Sequence, residues 1–140
     1  MTIRTDQGLV HLLSQVQAAA ERRLAAALAE RDCSLEEWWV LDALAAGGGR
    51  PMNEIAEHAM LPKPSLTKLV DSMVARNLVY RRGDAEDRRR VLLFLAARGR
   101  KKCVDVRAVV DAEESLIAAS MGEHLDVLRL ALQRVAAAVR

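Results

Sequence analysis

LPKPSLTKLVDSMVARNLVYRRGDAEDRRRVLLFLAARG, Leu61 to Gly99, decides how the chain is read. Its two prolines stop any helix from running into it, because proline lacks the N–H that a helix interior needs. Pro64 can instead open the next helix, where the first N–H groups have no intrahelical acceptor. From there Leu66, Leu69, Val70, Met73 and Val74 make one apolar stripe at helical spacing. The rest of that helix surface offers Lys63, Ser65, Thr67, Lys68, Asp71 and Ser72. Asn77 stands where a helix ends on a left-handed residue, a position that asparagine tolerates. Beyond it, Leu78 to Arg82 is short and β-prone, GDAED is turn chemistry, and RVLLFL is a second β-like run. Residues 78–96 therefore read as a hairpin.

Working outward, Leu9, Leu12, Leu13, Val16, Leu24 and Leu28 predict a helix over 7–31 that breaks at Asp32-Cys33-Ser34. Ser34 with Glu37 forms a capping box, the hydroxyl capping the helix and the carboxylate reaching back. That helix covers about 35–46 and stops at Gly47-Gly48-Gly49. Pro51 suits a first helical turn, and Met52, Ile55, Ala56, Ala59 and Met60 continue the period, which predicts a short helix over 51–59. A long helix is expected over 98–119. Ser120 and Glu123 form another Ser-x-x-Glu box, so a last helix is expected over 121–139.

The 140 residues fit one domain or a small domain with an appendage. Aromatics are only 3%, so the core is Leu, Val and Ala, a helix-favouring set. No apolar run approaches the ~20 residues of a membrane span, and the first residues show no secretory or transit signal. A cytoplasmic protein is expected. The net charge of +2 hides a strong asymmetry. From Lys63 to Lys102 there are 12 Lys/Arg against 4 acids, while the remaining residues carry 9 against 15. A basic middle on an acidic frame is the footprint of a polyanion partner.

A short helix, a tight turn and an amphipathic helix with a small polar outer face make a helix-turn-helix, whose second helix can enter the major groove. The hairpin makes it winged, and wing arginines suit the concentrated negative potential of a narrow minor groove. The fold class expected is mostly α with a small β wing: a winged helix-turn-helix lobe plus a helical dimerisation domain. The terminal segments, Leu9 to Leu28 and Leu116 to Val139, are apolar on a stripe and need a surface to cover. A second copy supplies it, and a two-fold dimer suits a palindromic site. The other reading is a monomer packed on itself.

The stretch from Leu61 to Gly99 resembles the recognition helix and wing of the MarR (multiple antibiotic resistance regulator) family, whose wing carries D-x-R before a strand, here Asp87-Arg88-Arg89 and the strand ending at Leu95. The resemblance is densest over 51–102. It implies a homodimeric repressor of transcription on double-stranded DNA, usually relieved by a small molecule or by thiol oxidation. It also implies that Arg89 enters the minor groove, that Asp87 braces it, and that Ser65, Thr67 and Lys68 face the major groove. The chain departs from the family where the strand ends Leu95-Ala96 rather than Leu-Thr, which removes a cap for the following helix, where Asn77 replaces Gly, and where Pro62 precedes the recognition helix.

The expected DNA-binding set is thus Lys63, Pro64, Ser65, Thr67, Lys68, Asp87, Arg88, Arg89 and Arg90, with Lys63 and Lys68 on phosphates. Neighbouring residues on a strand alternate faces, so Arg88 and Arg90 are expected at phosphates or acids when Arg89 points into the groove. The resemblance implies a crevice between the dimer helices and the lobe. Trp38, Trp39 and His11 are candidates there for a small aromatic effector, against core packing for the tryptophans and a structural role for the histidine. The domains follow as 1–34, an N-terminal dimerisation helix; 35–97, the DNA-binding lobe; and 98–140, the C-terminal dimerisation helices. His11, His58 and His124 form no metal constellation, and Cys33 and Cys103 form no zinc spacing, so neither metal nor cofactor is expected. Cys103 follows Arg100-Lys101-Lys102, a setting that can activate a thiol, and leaves oxidation sensing open. No phosphate loop and no nucleophile with a base is present, so an enzyme is not expected. The rival is a non-specific architectural DNA-binding protein or a helical scaffold.

Overall fold

A computed structural model describes residues 6–140, so the domain expected over 1–34 begins in residues outside this range. The elements in order are α1 (Leu9–Ala29), α2 (Leu35–Leu44), β1 (Arg50–Pro51), α3 (Met52–Ala59), α4 (Lys63–Ala75), β2 (Val79–Gly83), β3 (Val91–Leu95), α5 (Ala97–Met121), a 3-10 turn (Gly122–His124) and α6 (Leu125–Ala138). The fold is mostly helical with a small antiparallel sheet in the order β1-β3-β2. The hairpin pairs Val79 with Leu95 at its base and Gly83 with Val91 near its tip.

One core serves the whole lobe. Leu28 from the end of α1, Trp38, Leu41 and Leu44 from α2, Ile55 from α3, Leu66, Val70 and Met73 from α4, Leu93 from β3, and Val106 and Val110 from α5 pack together, none more than 4% exposed. The apolar stripe of α4 therefore faces inward as its spacing predicts. Asn77 adopts the left-handed conformation, with φ 59°, just past the end of α4. Met60 does the same after α3, with φ 54°, although nothing in its side chain favours that backbone. The reversal it makes is closed by the Leu61 N–H donating to the Ala56 carbonyl at 3.0 Å.

Several expectations need correction. Pro51 is not in a first helical turn. Arg50 and Pro51 form a two-residue strand against Leu93 and Leu92 of β3, and α3 starts at Met52. Two residues are too short for an alternation signal, and a sheet edge is where proline's missing N–H costs nothing. The box at Ser34 forms only by half. The Ser34 hydroxyl accepts from the Glu37 N–H at 3.1 Å, but the Glu37 carboxylate turns inward to Arg76. The second box, Ser120 with Glu123, does not form. Ser120 stays inside α5 and donates to the Ile117 carbonyl, and α6 begins at Leu125 with no side-chain cap. Gly122, at φ 55°, ends α5 instead and delays the last helix by a 3-10 turn. Helix α2 likewise ends at Leu44, ahead of the left-handed Gly47 and Gly48.

Outside the lobe, α1 and α5 pack along each other. Much of the apolar surface there is uncovered: Leu9 and Val16 on α1, Leu116 and Ile117 on α5, and Val127, Leu130 and Leu132 on α6 are all at least 44% exposed. No residue of α6 is buried. No helix among the described residues is long and apolar enough to cross a membrane.

Helix α5 meets the hairpin at Gly99. A Cβ there would stand 1.9 Å from the Leu78 carbonyl oxygen, which also accepts the Ala96 N–H at 3.0 Å. The obstacle is backbone, so it cannot rotate away. Gly99→Ala is expected to lower the unfolding free energy by about 2–4 kcal/mol, whereas Gly83→Ala, with open space around it, should change it little. Urea denaturation of the two variants checks this; equal midpoints would mean that α5 can part from β2 at no cost.

Candidate nucleic-acid interface

Helix α4 presents Lys63, Pro64, Ser65, Thr67 and Lys68 to solvent while Leu66 and Val70 hold it to the core. Its N-terminus carries no acid in the first turn and no side-chain cap, because Pro62 stands at the cap position. The positive end of the helix is therefore open to an anion. The Thr67 hydroxyl donates to the Lys63 carbonyl at 3.0 Å, so it faces a ligand chiefly as an acceptor.

Arg88, Arg89 and Arg90 are all exposed at the wing tip, with no side-chain partner among the described residues. They lie in the turn before β3, not on the strand, so strict alternation of faces does not govern them. Asp87 acts on the backbone: its carboxylate accepts the Arg89 N–H at 3.1 Å and its carbonyl accepts the Arg90 N–H at 3.0 Å. The Asp84 carboxylate accepts the Glu86 N–H, and the Asp84 N–H closes the loop onto the Arg90 carbonyl. These acids shape the turn and leave the guanidinium groups unpaired.

One contact that the sequence does not announce fixes the wing to the helix, and two more stiffen the wing itself. Arg81 of β2 donates to Asp71 of α4 at 2.5 Å. Such an exposed pair adds less than about 1 kcal/mol of stability, but it sets the lateral position of β2 against α4. Arg82 lies over the Tyr80 ring at 5.5 Å, and Tyr80 stacks on Phe94 across the hairpin with 5.3 Å between centroids. The stiffened strand pair carries the arginines beyond it. Both sides of these contacts are ordinary surface residues, and only the strand register reveals that they meet.

Glu37 of α2, 9% exposed, takes Arg76 at the end of α4 at 2.5 Å and faces Lys102 of α5 at 4.0 Å. Arg76 also donates from Nε to the Ser72 carbonyl, and Lys102 donates to the Asp32 carbonyl at 2.6 Å. One carboxylate thus ties α2, α4 and α5. A second, Asp42, accepts Arg107 of α5 at 2.8 Å and meets His58 of α3 at 2.9 Å.

The three candidate effector residues do not come together. Trp38 is 2% exposed in the core, with the Arg107 guanidinium over its ring at 4.9 Å. His11 is exposed on the first turn of α1. Trp39 is half-buried, edge-on to His58, and walls a cavity of about 200 Å³ with Leu24 of α1 and Ile117 of α5. Arg23 and Glu113, paired at 3.1 Å, line the same cavity.

Cys33 and Cys103 are buried free thiols. Burial first, and the nearby Glu37 carboxylate second, push Cys33 up to about 11. Burial also raises Cys103, with Arg107 opposing. Neither has the lowered pKa of a reactive thiol. No cluster of His, Cys, Asp and Glu that could hold a metal occurs among the described residues.

Comparison with known proteins points the same way. Residues 32–90 match the model of the MarR family. The chain is 26% identical over 112 residues to the HTH-type transcriptional regulator FarR of Neisseria gonorrhoeae, covering 80% of this chain and 77% of that protein. Its fold matches NadR in complex with 4-hydroxyphenylacetate, with a TM-score of 0.82 at 24% identity and full coverage of both chains. It also matches the transcriptional repressor CouR bound to a 23-mer DNA duplex, with a TM-score of 0.81 at 22% identity over 100% of this chain and 99% of that one. The relatives so named are regulators of transcription.

Thiol chemistry gives a direct test. A thiol whose pKa is raised in the fold stabilises fully below its ordinary pKa and loses that contribution as pH rises through the folded value. Cys33 should therefore cost stability between pH 9.0 and about 11. In the folded protein both thiols should resist iodoacetamide at pH 8 and react on denaturation. Rapid labelling of folded protein, read by mass spectrometry, would restore an oxidation-sensing role.

Proposed function

Because residues 32–90 match the model of the MarR family, we propose that the protein is a sequence-specific DNA-binding regulator of transcription, a cytoplasmic repressor that binds palindromic operators as a homodimer. The observation that carries this is the geometry of α4 and the wing. An exposed polar helix face with an open positive end and a wing tip with three unpaired arginines belong to elements that one exposed pair, Asp71 with Arg81, links. Lys63 and Lys68 then meet phosphates, while Ser65 and Thr67 face base edges from a helix that Pro64 helps to start. Arg89 enters the minor groove on a turn held by Asp87, with Arg88 and Arg90 on flanking phosphates. CouR, a repressor seen on a DNA duplex, has the same fold and supports this reading.

Residues 1–34 and 98–140 form the dimerisation domain, and 35–97 the lobe that reads DNA. The uncovered apolar residues of α1, α5 and α6 support this division, since a second copy would remove them from water. The cavity beside Trp39 lies between α1, α2 and α5, where dimer helices meet the lobe. A small aromatic effector seated there would bear on the link between the two parts. NadR, crystallised with an aromatic carboxylate, supports an effector of that kind.

Selection of duplexes from a random DNA pool, by the wild type and by Arg89→Ala in parallel, tests the reading. The expected product is an inverted repeat with half-sites about one helical turn apart. Arg89→Ala should bind it more weakly by about 1–3 kcal/mol and with relaxed preference at one position in each half-site. Lys68→Ala should instead weaken all sequences alike and flatten the salt dependence. No enriched sequence would move the assignment to a coating protein, and no salt-dependent DNA binding at all would move it to a scaffold.

A further inference from the structure

We propose that the cleft where the end of α1, the end of α4 and the start of α5 converge binds a small multivalent anion, one carrying phosphate or clustered carboxylate groups. The cleft has a volume of about 480 Å³, within the range of small-molecule sites. It belongs neither to the DNA-reading face nor to the Trp39 cavity, which lies further along α5 at Glu113 and Ile117.

Three separate elements bring cations to it: Arg31 follows α1, Arg76 follows α4, and Arg98, Lys101 and Lys102 occupy the first two turns of α5. The acids in its lining are Asp32 and Asp105. Glu37 behind it engages Arg76 and Lys102, which still leaves five cations against three carboxylates. The side chains of Arg31, Arg98 and Lys101 have no hydrogen-bond or ion-pair partner among the described residues. Like charges gathered in a concave site raise the local potential and concentrate counter-ions there.

The helix end adds to that potential. Helix α5 has no acid in its first turn, and Ala96 offers no capping oxygen. Arg98 is its second residue, so the positive end of a 25-residue helix stands beside the same cleft. The two bridging cations also retain capacity. Arg76 uses Nε on Ser72 and one terminal nitrogen on Glu37, out of five guanidinium N–H donors. Lys102 donates to the Asp32 carbonyl and stands 4.0 Å from a Glu37 oxygen that is buried without a hydrogen-bond partner. The protein's own acids thus leave this cluster incompletely neutralised.

The apolar residues of the lining, Leu78 and Val106, are at most 2% exposed and offer little surface to an aromatic body. A compact, highly charged anion fits this cleft better than an aromatic acid. Because Arg76 ends α4, such an anion would touch the recognition helix from behind.

Calorimetric titration of the full chain without DNA, at constant ionic strength in chloride, tests the site with inorganic phosphate, pyrophosphate and citrate. At least one of them is expected to bind saturably, one per chain. Phosphate or pyrophosphate alone would identify a phosphoryl ligand, and citrate alone a polycarboxylate. The double variant R98Q/K101Q alters two exposed side chains, and circular dichroism verifies that it is folded. It should weaken binding at least about tenfold, as expected for the loss of two charged donors. R134Q, exposed on α6 and outside the lining of the cleft, should leave binding unchanged. Failure of all three probes to bind would overturn the proposal, as would binding that R98Q/K101Q does not weaken.

Discussion

A single buried carboxylate holds the reading helix in place. Glu37 is the one charged residue that is buried among the described residues, and it spans 39 residues of chain to reach Arg76. Burying a carboxylate is costly unless charged donors meet it, and even then a well-packed apolar group often stabilises as much. What the ion pair adds is direction. Apolar packing would let α4 rotate or slide a little over α2, whereas a short guanidinium–carboxylate contact fixes its far end at one point. Lys102 brings α5 to the same carboxylate, so the helix that leaves the lobe is registered against the helix that reads.

Asp42 repeats the device on the other side of α2, gathering Arg107 of α5 and His58 of α3. Helix α2 therefore carries two acidic anchors five residues apart, one toward each helix of the helix-turn-helix. Motion of α5 relative to α2 would be felt by both. The wing is tied less firmly, through the exposed Arg81–Asp71 pair, and the Tyr80–Phe94 stack stiffens it from within. The lobe thus grades from a rigid base to a tip whose arginines are held only through the backbone of their own turn.

Much of this was legible in the sequence because its signals are local. The stripe from Leu66 to Val74, the left-handed Asn77 and the turn residues between Arg82 and Val91 need no distant partner to declare themselves. The outward faces of Lys63, Ser65, Thr67 and Lys68 follow from the inward faces of their neighbours. What was illegible depends on residues far apart. Glu37 looked like half of a capping box, since that motif is local and Arg76 is not. The two residues of β1 have no periodicity to read, and only β3 makes them a strand. The Ser120 box failed because α5 runs past Ser120 and ends only at Gly122, so the serine lies inside one helix and cannot cap the next. Trp38 and Trp39 could not be separated, because WWVLDAL is apolar nearly all round and neighbours differ by about 100° on a helix. The structure divides them, one to the core and one to a cavity wall.

The small strand β1 has a bearing beyond the architecture of the lobe. A two-stranded wing would leave the β3 backbone open along its whole length, and an open strand edge is a template on which another chain can add itself. Arg50 and Pro51 occupy that edge at Leu92 and Leu93, and proline then ends the sheet with a residue that has no N–H to offer. The other edge, β2, carries Arg81 and Arg82, whose charge repels a second copy of itself. A protein that must display a hairpin to its surroundings thereby keeps it from nucleating aggregates, and the protection comes from two residues at the end of a glycine loop.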